Sequence, residues 1–267
     1  MYLSFFGMEF NPFDKSIDTK HAFETEDFKI VKNRLEFLKA NKGLALITGV
    51  SGVGKTFSIR AFLSSLNPNL FKVIYIPMST LTVLEFYRQI CLELGLETER
   101  KKIDMFREIQ NHITHLVKDK KINVIICIDE AQYLKTDIIN DLKILLNFEM
   151  DSKNYFSLIL MGQPILNSML NRNVHESIRQ RISISYNFIG ISKDELMNYI
   201  ESRCKVANST PSIFSDNAYE TIYTSCGGSI RVVNNIISRC LLIAYKKEKN
   251  IIDSEIVIEA YNDLLLG

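Results

Sequence analysis

The stretch that decides the fold is an apolar run, Gly43-Leu-Ala-Leu-Ile-Thr48, followed at once by Gly49-Val-Ser-Gly-Val-Gly-Lys-Thr56. The first part has the length and composition of a buried strand, and the second matches the phosphate-binding pattern G-x-x-x-x-G-K-[ST]. Glycines let backbone N–H groups approach phosphate oxygens, and a helix that starts at the end of the loop favours an anion. The sequence therefore predicts a strand, a phosphate-binding loop and a helix in this order.

The polar residues at the end of this loop have distinct predicted roles. We expect Lys55 to neutralise β- and γ-phosphates, and Thr56 to be a ligand of Mg²⁺. The remaining loop residues are expected to surround the phosphates with their backbone; they are Gly49, Ser51, Gly52, Val53 and Gly54. A chance glycine-rich turn is the alternative, and the strand and helix on either side argue against it.

A second motif is the pair Asp129-Glu130, which ends the apolar run at residues 122–128. Successive residues of a strand point to opposite faces, so the two carboxylates can have different functions. We expect Asp129 to hold Mg²⁺ through water and Glu130 to orient and polarise the attacking water. A glutamate at this position favours hydrolysis over nucleotide binding alone, whereas a solvated loop after the strand is the alternative.

Three further polar sites follow along the chain. Gln163 ends the predicted strand at 155–161, and ligands of open parallel sheets bind at the carboxyl ends of strands; a turn residue before a proline is the alternative. Arg179 and Arg181 form a pair that can reach the phosphate of a neighbouring subunit, or simply end an exposed helix. Arg231 lies in the first turn of a predicted helix, where a cation is mildly unfavourable unless an anion is near.

Strands alternate with helices up to about residue 190, which predicts a parallel sheet covered on both faces. The strands are predicted at 43–48, 71–76, 122–128, 155–161 and 182–188. Helices are predicted at 26–41, from the loop to about 66, and at 80–94, 104–118, 135–148 and 174–181. The remaining segments are all helical, at 192–207, 215–225, 229–246 and 253–264. We therefore expect an irregular N-terminal segment (1–25), an α/β domain that contains the phosphate-binding loop (26–190) and a small all-helical domain (191–267).

The composition is that of a globular protein: 267 residues, 46% hydrophobic and 24% charged, with a net charge of +1. This excludes a disordered chain and a globally basic nucleic-acid binder, although a local basic patch stays possible. The five cysteines are scattered without a CxxC pair, which favours reduced thiols over disulfides or a zinc site. Apolar runs are far shorter than a membrane span, and the N-terminus is unlike a signal peptide. We expect a cytoplasmic protein without a membrane partner.

The five motifs, in this order, resemble those of the AAA+ ATPases over about residues 25–265: Walker A, Walker B, sensor 1, arginine finger and sensor 2. Finer details are similar to the ExeA-like branch of that family, which includes secretion ATPases and the ATPases that accompany transposases (the TnsC, TniB, MuB and IstB-like regulators). The segments that carry this closer resemblance are Phe6-Gly7-Met8, Asn11-Pro12-Phe13, Asp129-Glu130-Ala131-Gln132, Gly162-Gln163-Pro164, Gln180-Arg181-Ile182 and Gly228-Ser-Ile-Arg231.

The resemblance implies a fold, cofactors and site residues. It implies ATP and Mg²⁺ as cofactors, and an α/β fold with a parallel five-stranded sheet of order 5-1-4-3-2 and a small C-terminal helical lid. Gln163 takes the place of sensor 1, and Arg231 that of sensor 2. Arg181 is the first candidate for the arginine finger and Arg179 the second. Phe13 is expected near adenine, with a core phenylalanine as the alternative.

The resemblance also implies partners. The transposition regulators of this branch bind double-stranded DNA with ATP as rings or helical filaments, without reading its sequence, and act with a transposase. Secretion members carry a membrane span and a peptidoglycan-binding region after the ATPase, whereas this sequence ends at Gly267. We therefore expect an oligomeric, DNA-binding ATPase that regulates transposition through target selection or transposase recruitment. Two alternatives stay open: a secretion or cell-envelope ATPase, and a nucleotide-switched scaffold with little turnover.

The DNA surface of these regulators lies between the second strand and the Walker B strand. In this sequence the stretch contains Thr80 and a short basic run at Arg100, Lys101 and Lys102. Four basic and two acidic residues give residues 98–107 a net charge of +2, which fits sequence-neutral contact with phosphates. A solvated loop between two helices is the alternative.

Overall fold

The structure is a computed structural model that describes residues 2–14, 22–77, 80–149 and 153–266. Its centre is a five-stranded sheet in which every pairing is parallel. The strands are β1 (Gly43–Thr48), β2 (Phe71–Ile76), β3 (Asn123–Ile128), β4 (Phe156–Gly162) and β5 (Ile182–Asn187). Their spatial order, β2-β3-β4-β1-β5, confirms the predicted order 5-1-4-3-2. Every residue of β1 and β4 is buried, as expected of central strands covered on both faces.

The helices that surround and follow the sheet are α1 (Tyr2–Phe5), α2 (Glu26–Asn41), α3 (Lys55–Ser65), α4 (Val83–Leu94), α5 (Lys102–Lys118), α6 (Thr136–Leu145), α7 (Ile165–Leu170), α8 (Glu176–Arg179), α9 (Lys193–Val206), α10 (Asp216–Cys226), α11 (Ile230–Lys246) and α12 (Ser254–Leu266). Single 3₁₀ turns precede α6, α8 and α10, at Ala131–Tyr133, Asn173–His175 and Pro211–Ile213. None of the helices in the described part of the chain is long and apolar enough to cross a membrane.

The chain divides into two compact units. Residues of the glycine-rich loop belong to both of them: Val50–Gly54 to the first, and Gly49, Lys55 and Thr56 to the second. The first unit contains Met1–Lys29, Val50–Gly54 and Ile189–Gly267, and the second contains Ile30–Gly49 and Lys55–Phe188.

The second unit is the sheet with its covering helices. Helix α5 shows why its residues pack there, because Met105, Ile109, Ile113 and Leu116 recur every three or four residues and are all buried. These residues share one hydrophobic core with the inner faces of α4 and α6 and with every second residue of β3 and β4, from Val124 and from Phe156.

The first unit is a bundle of α9, α10, α11 and α12 to which the N-terminal segment belongs. Phe6, Met8 and Phe13 are buried in the same core as these helices. The Ser209 hydroxyl donates to the carbonyl oxygen of Phe6 over 2.7 Å. The N-terminal segment, expected from the sequence to be irregular and separate, is therefore a structural part of the helical unit. Residues 15–21 of this segment lie outside the described part of the chain.

The elements differ from the predicted ones mainly beside α7 and α8. Helix α7 is absent from the predicted elements because it has only six residues, too few to show a helical period in the sequence. The helix predicted at 174–181 is a 3₁₀ turn followed by the four residues of α8. Helix α4 starts at Val83 rather than at residue 80, because Thr82 and Glu85 form a capping box there.

Candidate nucleotide-binding site

The glycine-rich loop connects β1, which ends at Thr48, with α3, which begins at Lys55. Gly52 and Gly54 have φ angles of 84° and 102°, a region that L side chains rarely adopt. Lys55 is buried, and its ammonium donates to the carbonyl oxygen of Gly49 over 2.7 Å. The structure thus has the predicted strand, loop and helix, with the lysine folded back onto the residue that starts the loop.

The first carboxylate of the acidic pair faces the start of α3. Asp129 is buried, and its Oδ2 accepts a hydrogen bond from the Thr56 hydroxyl over 3.3 Å. Its Oδ1 accepts from the backbone N–H of Glu130 over 2.8 Å. A hydroxyl and a carboxylate this close are the oxygen ligands that Mg²⁺ prefers. These two residues therefore fit the magnesium site that the sequence predicts.

Tyr75 is a further polar residue of this cluster that sequence reasoning missed. Its hydroxyl donates to Asp129 Oδ2 over 2.8 Å, because β2 pairs with β3 so that Tyr75 lies opposite Cys127. Burial and the hydrogen bond to Asp129 raise the pKa of Tyr75 well above its usual value, so the hydroxyl stays a protonated donor at neutral pH. In the sequence, the only indication of this role is that Tyr75 is a polar residue near the end of an apolar strand.

The second carboxylate, that of Glu130, is exposed and is held by a neighbouring amide. Glu130 has a left-handed backbone, with φ 50° and ψ 39°. The side-chain amide nitrogen of Gln132 donates to Glu130 Oε2 over 2.5 Å, and its oxygen accepts from the backbone N–H of Gln163 over 3.0 Å. The structure therefore brings Glu130 and Gln163, which the sequence places 33 residues apart, to the same edge of the sheet.

Within the first unit, Arg231 contacts the glycine-rich loop. Its guanidinium donates to the Ser51 hydroxyl over 3.1 Å, and its backbone N–H donates to the carbonyl oxygen of Gly52 over 3.1 Å. A Cβ atom on Gly52 would lie 2.3 Å from the hydroxyl of Ser229 and 2.8 Å from the Cβ of Arg231. Gly52 is thus required by the close approach of α11 as well as by its own φ angle.

Phe13 is 3% exposed in the core of the first unit. Its backbone N–H donates to the side-chain oxygen of Asn11 over 3.1 Å, and the Asn11 amide donates to Ser238 over 3.2 Å. The structure therefore supports the core alternative for Phe13, and a contact with adenine stays a prediction.

The two candidate finger arginines lie around the end of α8. Arg179 is exposed, and its guanidinium donates to the carbonyl oxygen of Asn171 over 3.4 Å. Arg181 is half-buried just before β5. A role towards a neighbouring subunit stays a prediction for both.

The candidate DNA residues have different surroundings. Thr80, Arg100 and Lys101 are exposed. Lys102, in contrast, donates to both carboxylate oxygens of the buried Asp141, over 2.9 and 3.1 Å. The ammonium of Lys102 thus has a partner inside the second unit, and Arg100 and Lys101 are the stronger candidates for phosphate contact.

Comparison with known proteins decides the family. Residues 38–170 match the family model described as the AAA domain. The chain is a member of the AAA+ ATPase family. This match covers the loop, the acidic pair and Gln163, and it confirms the resemblance found in the sequence.

Among curated AAA+ relatives, "General secretion pathway protein A" of Aeromonas hydrophila is 30% identical over 266 residues, covering 98% of this chain and 48% of that protein. "Mu-like prophage FluMu DNA transposition protein B" of Haemophilus influenzae is 29% identical over 173 residues, covering 64% of this chain and 53% of that protein. The chain thus spans about half the length of these relatives. The crystal structure of Cdc6p from Pyrobaculum aerophilum shares the fold, with a TM-score of 0.71 and 16% identity over 90% of this chain and 67% of that one.

Proposed function

We propose that the chain binds ATP with Mg²⁺ and hydrolyses it to ADP and phosphate. The observation that carries the proposal is the edge of the sheet where Asp129 bonds the Thr56 hydroxyl while the carboxylate of Glu130 stays exposed. One carboxylate is thus turned towards Thr56 in the first turn of α3, and the other is open to a water molecule. Mg²⁺, when bound, supplies positive charge that neutralises the phosphates.

Each residue of the site has one task in this proposal. Lys55 contributes the positive charge for the β- and γ-phosphates, and Thr56 and Asp129 hold the metal. Glu130 orients the water whose oxygen attacks the γ-phosphorus as the bond to the β,γ-bridging oxygen breaks. Gln163 and Arg231 contact phosphate oxygens or the attacking water.

Two substitutions test this assignment because they separate binding from hydrolysis. Lys55→Ala removes the main counter-charge and is expected to abolish ATP binding. Glu130→Gln keeps the shape of the side chain and is expected to retain binding while slowing phosphate release by 10²–10⁴-fold, the usual contribution of a positioned base.

The matched control is Glu255→Gln, which changes an exposed glutamate in the first turn of α12 and should leave both measurements at the wild-type level. Equal turnover in Glu130→Gln and wild type would remove Glu130 from the mechanism. Negligible turnover of the wild type would instead favour the nucleotide-switched scaffold.

We propose further that the ATP-bound chain assembles into a ring or filament on double-stranded DNA and regulates a transposase. The relative from Haemophilus influenzae is named a DNA transposition protein, which supports this function. The exposed side chains of Arg100 and Lys101 support contact with phosphates rather than with base edges. DNA binding that requires ATP, measured by sedimentation with a duplex of arbitrary sequence, tests the proposal.

A function in secretion is the second candidate, because the relative from Aeromonas hydrophila matches 98% of this chain. The same sedimentation experiment distinguishes the two functions. An ATPase that stays in the supernatant with ATP and DNA at low salt would overturn the transposition proposal and favour a partner from the cell envelope.

A further inference from the structure

The side-chain amide of Gln132 joins two parts of the site that lie on different strands. Its nitrogen contacts the carboxylate after β3, and its oxygen contacts the backbone N–H of the residue after β4. One end of the amide can only donate and the other can only accept. Because the carboxylate of Glu130 needs a donor and the N–H of Gln163 needs an acceptor, these two partners fix the orientation of the amide.

The glycine at the end of β4 provides the space for this amide. A Cβ atom on Gly162 would lie 2.4 Å from Gln132 Oε1 and 3.4 Å from the backbone nitrogen of Gln132. Gly162 is absent from the residues with a positive φ angle, so its backbone does not itself require glycine. A Cβ atom there would also lie 3.1 Å from Leu166 Cδ2, so the close approach of Gln132 and Leu166 explains the missing side chain.

The backbone on the other side is also fixed. The residues after Glu130 form a 3₁₀ turn at Ala131–Tyr133, in which the N–H of Tyr133 donates to the carbonyl oxygen of Glu130 over 3.1 Å. Ala131 is fully buried. Gln132 therefore extends from an anchored turn and is itself half-buried.

We propose that Gln132 is a positioning residue that holds the carboxylate of Glu130 in register with the end of β4, so that a shift of Gln163 on contact with the γ-phosphate moves Glu130 as well. This inference rests on the proposed ATP hydrolysis. Gln132 touches neither phosphate nor water in this role; it acts through Glu130.

The first test replaces Gln132 by methionine, which has a similar length and no hydrogen-bonding amide. Because a hydrogen bond to a charged group is lost, we expect kcat to fall about tenfold while the KM for ATP stays near the wild-type value. The matched control is Gln89→Met in α4, because Gln89 also donates its amide to a glutamate, Glu93, over 3.2 Å. An unchanged kcat in Gln132→Met, in a wild type that hydrolyses ATP, would overturn the proposal.

The second test needs no nucleotide. In the ligand-free protein the N–H of Gln163 should exchange with solvent roughly fivefold faster in Gln132→Met than in wild type, whereas Gln89→Met should leave it unchanged. Unchanged exchange in Gln132→Met would show that the amide bridge does not exist in solution.

A third variant reaches the same bridge from its other side. Gly162→Ala should displace the Gln132 side chain and lower kcat as Gln132→Met does. If both act through one bridge, the double variant should be no slower than the slower single variant. A double variant whose loss of kcat is the product of the two single losses would overturn the proposal. A wild type without ATPase activity would overturn the proposed hydrolysis, and the exchange test would still show whether the hydrogen bonds of Gln132 exist.

Discussion

At the scale of single residues, Asp129 accepts hydrogen bonds from at least three groups: the Thr56 hydroxyl of α3, the Tyr75 hydroxyl of β2 and the backbone N–H of Glu130, the next residue in the chain. A carboxylate held in this way has little freedom to rotate. Such restraint lowers the entropy that a metal ligand loses on binding. The strength of a magnesium site here should therefore depend on residues that do not touch the metal.

Tyr75→Phe tests this dependence by removing one hydroxyl and leaving the ring. We expect the Mg²⁺ concentration for half-maximal phosphate release to rise about tenfold, the usual cost of losing a partner of a metal ligand. Because the raised pKa of Tyr75 keeps its hydroxyl protonated, the effect should be the same from pH 6 to pH 9. Tyr261→Phe in α12 is the control, and an unchanged Mg²⁺ titration in Tyr75→Phe would mean that Tyr75 does not hold Asp129.

The site residues that could be predicted from the sequence and those that could not differ in how far along the chain their partners lie. Lys55 and Thr56 belong to one short pattern whose chemistry can be read locally. Gln132 lies only two residues beyond the acidic pair, yet its role depends on Gln163, 31 residues further along the chain. Only the pairing of the strands brings such residues together, and no spacing in the sequence reports it.

At the scale of elements, the connection between α4 and α5 shows that neighbouring basic residues of one short run have different surroundings in the folded chain. Helix α4 ends at Leu94 and is capped by Gly95 in a left-handed conformation, and Arg100 and Lys101 remain exposed before α5 begins. The third basic residue, Lys102, is already in α5 and pairs with Asp141 of α6. The sequence could not separate these roles because Asp141 lies 39 residues away.

Replacing Arg100 and Lys101 together by alanine should weaken DNA binding and its dependence on salt. Each phosphate contact contributes about 0.9 to the slope of log K against log salt concentration, so the slope should fall by up to about 1.8. The charge-matched control is the double replacement of Lys205 and Lys246, which are exposed in α9 and α11. A slope that falls in the control and not in the first variant would place the DNA surface on the helical unit.

Lys102→Ala changes the third basic residue of the same run, which lies in α5, and should behave differently. It leaves the buried carboxylate of Asp141 without its ammonium partner, and we expect a loss of about 1–2 kcal/mol in the free energy of unfolding, since the ammonium is itself half-exposed. Urea denaturation measures this loss. Equal stability of Lys102→Ala and wild type would show that the ion pair contributes nothing.

At the scale of the whole molecule, we propose that one subunit of the oligomer completes the site of another. Arg231 contacts Ser51 within its own chain, whereas Arg181 is the first candidate to reach a neighbour. A residue that acts on a neighbour can be supplied by a second variant, and a residue that acts on its own loop cannot.

Mixing Arg181→Ala subunits with Lys55→Ala subunits should therefore restore part of the turnover that each variant lacks alone. The first variant keeps its loop and the second supplies an arginine, and an arginine finger contributes 10³–10⁵ in rate. Mixing Arg231→Ala with Lys55→Ala should restore nothing. If sedimentation shows that the subunits assemble together and the Arg181→Ala mixture stays inactive, Arg179 becomes the candidate arginine finger and the mixing test is repeated with Arg179→Ala. If that mixture also stays inactive, the shared site is wrong and each subunit hydrolyses ATP alone.

The strand order of the sheet was predicted from family resemblance, because the alternation of strands and helices predicts a parallel sheet without its order. The packing of the N-terminal segment in the helical unit could not be predicted from the local sequence pattern either. Phe6, Met8 and Phe13 are too few to show a period, and their core is built from residues beyond 189.

That discontinuous helical unit has a consequence for synthesis on the ribosome. The residues of the sheet unit, Ile30–Gly49 and Lys55–Phe188, are synthesised before the helices that share a core with Phe6, Met8 and Phe13. At roughly 5–20 residues per second the wait is on the order of ten seconds or more. During that time these three side chains have no native core to enter, so this nascent segment exposes apolar side chains until the helices of its unit have been synthesised.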